Sequence, residues 1–176
     1  MRSKLYNNLP NFISLSRLLF SPTLFFLPEK AIPFFFLILA LSDALDGFLA
    51  RSLKLKTELG KVLDPLADKV MMLCGLFLCV FKLNSLPSWL LYLTLMRDLF
   101  LVLGSLFLVL KGIGIPEARP LGKAFTFYLS ILVFLSMINP IPLWSLWLAL
   151  LLLLLSWIDY TILGIKGIKS QTSSSL

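Results

Sequence analysis

The strongest chemical signal in the chain comes from four aspartates, Asp43, Asp46, Asp64 and Asp68. They form the spacing D-x2-D-G-x2-A-R-x8-G-x3-D-x3-D, whose other fixed positions are Gly47, Ala50, Arg51 and Gly60. Asp43 and Asp46 are three apart and Asp64 and Asp68 four apart. On helices, each pair therefore shares one face. The runs on either side, 32–41 and 70–81, carry no charge and are mostly apolar. Carboxylates at the ends of hydrophobic helices are costly and mark a functional site. Four of them facing one another repel unless a cation lies between. A donor set of hard oxygens favours Mg2+ or Mn2+, ions that usually also hold a substrate phosphate. The chain has no histidine, which removes the commonest general base and zinc ligand.

Two ions in such a cluster suit the clamping of a diphosphate and polarisation of its phosphorus for in-line attack. In the absence of histidine, Asp68 is a carboxylate placed to accept the proton of an attacking hydroxyl. Gly47 and Gly60 allow a flat base or a phosphate to approach the backbone. The plainer reading is that the aspartates pair with Arg51, Lys61 and Lys69 and brace two helices. Four aspartates in register with the glycines argue for chemistry instead.

The elements that must position these groups are membrane helices. Of the 176 residues 59% are hydrophobic and 14% charged, with a mean hydropathy of +0.94, outside the range of soluble domains. Residues 1–17 alternate apolar and polar positions at helical spacing and read as an amphipathic interfacial helix. Apolar segments follow at 15–28, 32–50, 61–81, 88–110, 121–138 and 143–162, separated by Pro-, Gly- and Asn-containing breaks. The expected organisation is all-α: an interfacial helix over 1–17, a catalytic domain of six transmembrane helices over 18–164 and a flexible tail over 165–176. No small-residue cleavage site follows the apolar run from Leu18, so a cleaved signal peptide is not expected.

Only Lys30 and Lys82 fall at the outer connections of this scheme, and the other lysines and arginines gather on the opposite side or in helices leading to it. The positive-inside rule then puts both termini, the 51–61 loop, the 111–123 loop and the carboxylates in the cytoplasm. The net charge of +7 reads as topology and contact with anionic lipids, not as nucleic-acid binding. Cys74 and Cys79 are five apart in one apolar run and read as small buried hydrophobes. Trp144, Trp147 and Trp157 read as interfacial anchors.

The aspartate spacing resembles the signature of the CDP-alcohol phosphatidyltransferase family, with each of its eight fixed positions present between Asp43 and Asp68. That resemblance implies two divalent ions, Mg2+ or Mn2+, held by Asp43, Asp46 and Asp64, with Asp68 as general base and a further metal contact. It places the CDP moiety against Asp43, Gly47, Ala50, Arg51, Gly60 and Asp64, with Arg51 on the diphosphate. The reaction it implies is attack by an alcohol hydroxyl on the phosphatidyl phosphorus of CDP-diacylglycerol, releasing CMP. It also implies a homodimer in the inner or plasma membrane of a bacterium, with an interfacial N-terminal helix and six spans.

The stretches 9–17 and 60–69 are similar to family members that use glycerol 3-phosphate and make phosphatidylglycerophosphate, and also to members that use phosphatidylglycerol and make cardiolipin. Arg97-Asp98 resembles the second group. A phosphorylated acceptor needs cationic donors, which Arg119 and Lys123 offer from the loop before the fifth span. Arg97 is read equally as an acceptor contact or as a brace within the fourth span. As neighbours on a helix, Arg97 and Asp98 point about 100° apart and need not pair. Asp159 reads as structural, paired with Arg17 or Lys166. Glycerol 3-phosphate is the expected acceptor and phosphatidylglycerol the alternative. A divalent-cation channel or transporter is the non-enzymatic alternative, opposed by the lack of polar residues in the outer halves of the second and third spans.

Overall fold

Apolar runs punctuated by proline produce helices here and nothing else among the described residues. The computed structural model describes residues 9–52, 58–111 and 119–174, and the side chains of 12–42, 63–111 and 119–165 among them. Its helices are α1 (Leu9–Phe20), α2 (Ile32–Ser52), α3 (Glu58–Phe77), α4 (Ser88–Leu110), α5 (Pro120–Ser136) and α6 (Leu143–Ser174). Helix α4 and the Leu143–Ile165 portion of α6 are long and apolar enough to cross a membrane, whereas Phe12–Phe26 and Pro120–Ser136 are shorter apolar stretches. Along α4, Leu103, Leu106 and Leu110 are 55%, 54% and 78% exposed. A face of that kind suits lipid better than water. Trp144 and Trp147 stand exposed at the start of α6, as expected of anchors, while Trp157 lies half-buried with its ring 5.7 Å from that of Phe100.

The chain divides into two units, Met1–Leu86 with Val133–Asn139 and Pro87–Leu132 with Pro140–Leu176. In the first, α1 packs along α3 and against α2. The helix does not end near residue 17. It continues through a 3-10 segment, Ser21–Phe26, in which Ser21 Oγ donates to the Arg17 carbonyl at 2.6 Å and Thr23 Oγ1 to that of Phe20 at 2.7 Å. These hydroxyls bond carbonyls around Pro22, which has no N–H to give. Ser14, Arg17, Ser21 and Leu24 are all fully buried and recur every three or four residues, so one buried stripe crosses the expected boundary at 17/18. A short 3-10 turn, Glu29–Ala31, leads into α2, whose Pro33 falls in the first turn, where a missing N–H costs nothing.

Helix α3 passes at its end into a π-helical turn, Leu78–Lys82, with Leu83 N–H bonded to the Leu78 carbonyl at 2.8 Å. Asn84 follows with φ 51°, a left-handed conformation that asparagine tolerates. The Lys82 ammonium then donates to the carbonyls of Phe25 and Leu27 at 3.1 and 2.8 Å. At Gly75 the helices approach so closely that a Cβ would lie 2.7 Å from Phe36 Cε2 and 3.0 Å from Val133 Cγ1. Cys74 and Cys79 are both free thiols, half-buried and buried.

In the second unit, α4 packs against α6. Pro87 precedes α4 as its N-cap and Pro120 is the first residue of α5. Helix α6 stays helical to Ser174, where a tail was expected to leave the helix at 165. No proline interrupts 143–174, and isolated glycines such as Gly164 and Gly167 lower helix stability by only about 1 kcal/mol each.

Candidate functional site

Both carboxylate pairs fall on helices. Asp43, Asp46, Gly47, Ala50 and Arg51 fall on α2, and Gly60, Asp64 and Asp68 on α3. The side chains of Asp43, Asp46, Ala50 and Arg51, and the surroundings of Gly47 and Gly60, lie outside the described residues. Asp64 and Asp68 are described, and both are half-buried, one turn apart on α3 with fully buried Ala67 between them. Pro65 sits inside the helix directly after Asp64. Lacking an N–H, it cannot bond the carbonyl of residue 61, which loosens the ladder beside the carboxylates.

One partner of this pair was not anticipated. Ser14 of α1, fully buried, donates its hydroxyl to Asp64 Oδ1. The bond fixes one carboxylate oxygen and leaves the other for a second partner. The signal was available in the sequence: Ser14, Arg17 and Ser21 form a small polar stripe within an apolar run, which suits a buried polar face better than an interfacial helix. Among the described residues, no three carboxylate or thiol groups converge as metal ligands. The donors at hand are nevertheless carboxylate and hydroxyl oxygens, the set that suits Mg2+ or Mn2+.

The acceptor candidates lie in the second unit. Arg97 is buried within α4, 3% exposed. Its Nε and Nη2 donate to Ser156 Oγ at 3.2 and 2.9 Å, its Nη1 to Asp98 Oδ1 at 3.0 Å, and its guanidinium lies 4.7 Å from the centroid of the Phe125 ring. The neighbouring Asp98 is therefore a partner after all, because the long arginine side chain spans the angle between adjacent positions. Arg119 makes a bidentate pair with Asp159, Nε to Oδ2 at 2.9 Å and Nη2 to Oδ1 at 2.7 Å. Asp159 thus pairs with the residue before α5 and is not limited to Arg17 or Lys166. The hydrogen bonds that Arg119 donates to Asp159 raise its pKa above the usual arginine value. Its backbone N–H donates to Tyr160 Oη at 3.2 Å.

Gly122 joins these groups. A Cβ there would lie 3.0 Å from Tyr160 Cε2, 3.1 Å from Tyr160 Oη and 3.2 Å from Arg97 Nη2. Arg97, Tyr160 and Arg119 are therefore linked through one glycine surface. Lys123, the third candidate, is exposed one residue further along α5. Ser156, Asp98, Asp159, Tyr160 and Gly122 are supports that motif spacing alone does not reveal, since each acts across helices or through a neighbour.

The chain matches the CDP-alcohol phosphatidyltransferase family over residues 7–155. It is 40% identical over 138 residues to a CDP-diacylglycerol–glycerol-3-phosphate 3-phosphatidyltransferase of Aquifex aeolicus (strain VF5), covering 75% of this chain and 77% of the relative. An enzyme of the same name from Bacillus subtilis (strain 168) is 33% identical over 155 residues, covering 77% of this chain and 79% of the relative. A cardiolipin synthase (CMP-forming)/mitochondrial hydrolase fusion protein of Schizosaccharomyces pombe (strain 972 / ATCC 24843) is 38% identical over 113 residues, 62% of this chain and 19% of the relative.

Proposed function

The chain belongs to the CDP-alcohol phosphatidyltransferase family, and from that membership we propose that it transfers the phosphatidyl group of CDP-diacylglycerol to glycerol 3-phosphate, forming phosphatidylglycerophosphate and CMP. The observation that carries this reading is the complete eight-position signature on α2 and α3, together with 40% identity to a relative named for that reaction. Family membership sets aside the cation-channel alternative.

Asp43, Asp46, Asp64 and Asp68 hold two ions of Mg2+ or Mn2+, and Ser14 steadies Asp64. Bound there, the ions supply charge neutralisation of the diphosphate and polarisation of the reacting phosphorus. Arg51 binds the diphosphate, and Gly47, Ala50 and Gly60 let the cytidine approach, alongside Asp43 and Asp64. Asp68 takes the proton of the acceptor hydroxyl as its oxygen bonds to the phosphatidyl phosphorus. The bond from that phosphorus to the CMP oxygen breaks, and CMP leaves. A guanidinium offers paired donors matched to a phosphate, so Arg97, Arg119 and Lys123 are assigned to the phosphate of the acceptor. Six spans, a homodimer and a cytoplasmic site in a bacterial inner or plasma membrane complete the reading. Contact with anionic lipids supports its basic loops.

The test is release of CMP by purified protein in detergent with CDP-diacylglycerol and Mg2+, supplied in parallel with glycerol 3-phosphate or phosphatidylglycerol. Turnover with glycerol 3-phosphate, abolished in Asp68→Asn while CDP-diacylglycerol still binds, is expected. Turnover with phosphatidylglycerol alone refutes the acceptor assignment in favour of cardiolipin formation.

A further inference from the structure

Between α4 and α6 lies a cavity of about 190 Å3, with Tyr160 in its wall. It runs along both helices in the same sense. Phe100 and Trp157 meet at one end, and Leu108 and Ile165 line the other. Its depth comes from Gly104 and Gly164, at either of which a Cβ would meet nothing within 4 Å. The serine and threonine hydroxyls in its wall are already spent on their own helices: Ser105 Oγ donates to the Leu101 carbonyl at 2.6 Å and Thr161 Oγ1 to that of Trp157 at 2.8 Å. Tyr160 Oη accepts from the Arg119 N–H at 3.2 Å, and the rest of the lining is mostly hydrocarbon. The flanking Leu103, Leu106 and Ile162 are exposed, so the groove opens onto a surface that suits lipid.

A cation stands at the Leu108 end. Lys111 caps α4 at its C-terminus, one turn beyond Phe107 and Leu108 of the lining, and its Nζ lies 5.8 Å from the centroid of the Phe107 ring. A lysine at a helix end keeps its ammonium at the level of lipid head groups while its stem covers apolar surface. An apolar groove with a cation at its mouth is complementary to an acyl chain beneath a phosphate. Basic pockets between membrane helices bind anionic head groups on the same grounds.

We propose that the α4–α6 groove is a binding site for an anionic phospholipid, with an acyl chain laid over Gly104 and Gly164 and the head-group phosphate at Lys111. The proposal does not depend on which alcohol the carboxylate centre uses.

Native mass spectrometry of the purified full chain, titrated with phosphatidylglycerol or with phosphatidylcholine of the same acyl chains, tests this. One phosphatidylglycerol per chain should be retained over phosphatidylcholine by about fivefold, the effect of one lysine at an anionic surface. Lys111→Gln should erase that preference. Gly164→Leu, or Gly104→Leu should the first variant not fold, should remove the bound lipid and leave turnover with CDP-diacylglycerol intact. The proposal is overturned if the two lipids are retained equally, or if the leucine variants bind as much phosphatidylglycerol as the parent. Displacement of the retained lipid by CDP-diacylglycerol would place it in the reaction centre and also overturn it. So would dissociation of a dimer by Gly164→Leu with no change in bound lipid, which would show a second copy of the chain covering the groove.

Discussion

Gly122→Ala separates an acceptor role for the arginine cluster from a purely structural one. The added methyl would lie 3.0 Å from Tyr160 Cε2, 3.1 Å from Tyr160 Oη and 3.2 Å from Arg97 Nη2. Comfortable carbon contacts begin near 3.5 Å, so each neighbour must yield by a few tenths of an ångström. Overpacking of this kind costs about 1–3 kcal/mol, and alanine recovers about 1 kcal/mol of helix propensity, leaving a net loss of roughly 0–2 kcal/mol. Stability should therefore change little. The displaced groups are the ones assigned to the acceptor phosphate: Arg97 directly, and Arg119 through Tyr160. Loss of one well-placed charge-assisted contact, about 1.5–3 kcal/mol, corresponds to a rise in KM for glycerol 3-phosphate of roughly ten- to a hundredfold. The KM for CDP-diacylglycerol should not move. Steady-state CMP release with each substrate varied in turn measures both, and Gly104→Ala, with nothing near its Cβ, is the control expected to behave as the parent. An unchanged KM for glycerol 3-phosphate alongside lowered stability would refute the acceptor assignment and leave the cluster a brace.

Three further outcomes can be checked. Ser14→Ala removes the hydroxyl bound to Asp64 and should lower metal affinity or activity by about 10–100-fold, as loss of an outer-shell partner does. A titration of turnover against Mg2+ should show the half-maximal concentration rising. Chelation of divalent ions should abolish CMP release, with Mg2+ or Mn2+ restoring it. Gly75→Ala drives a methyl to 2.7 Å from the Phe36 ring and should destabilise by about 1–3 kcal/mol, measured as a lower midpoint of thermal unfolding, with activity per folded molecule retained.

The parts legible in the sequence were those set by local rules. Pro87 and Pro120 mark the starts of α4 and α5 because proline suits a helix entry and nothing deeper. Carboxylate spacing could be assigned to helix faces because the helical period is fixed. Local rules failed where a tertiary partner decides. Pro22 lies inside the 15–28 segment, and the chain passes it as a 3-10 helix through Phe26, with Ser21 and Thr23 bonding nearby carbonyls. Nothing in residues 78–82 announces a π turn; its closure depends on Leu83 and Ser85 reaching back to Leu78 and Cys79. Asp159 offered several cations within plausible reach, and only the folded chain selects Arg119. Ser156 is one serine in a leucine-rich run, and its meaning comes from Arg97 on another helix.

The energetics of these buried polar groups bear on why they are there. A guanidinium within an apolar helix is costly, and well-packed apolar residues of similar volume generally replace a buried ion pair at no loss of stability. Arg97 is supported on three sides, by Ser156, by Asp98 and by the face of Phe125. Those supports offset desolvation; they do not make the arrangement a better brace than leucine packing. Arg119 differs, since its side chain is 43% exposed and its pairing with Asp159 adds little stability in a screened setting. What the two arrangements share is geometry. Asp159 holds the fork of Arg119, Ser156 and Asp98 hold the guanidinium of Arg97, and Gly122 omits the side chain that would crowd Arg97 and Tyr160. Rigid donors reduce the ordering cost of anion binding. A structural role does not call for a donor fork, whereas the proposed recognition of the acceptor phosphate would use one.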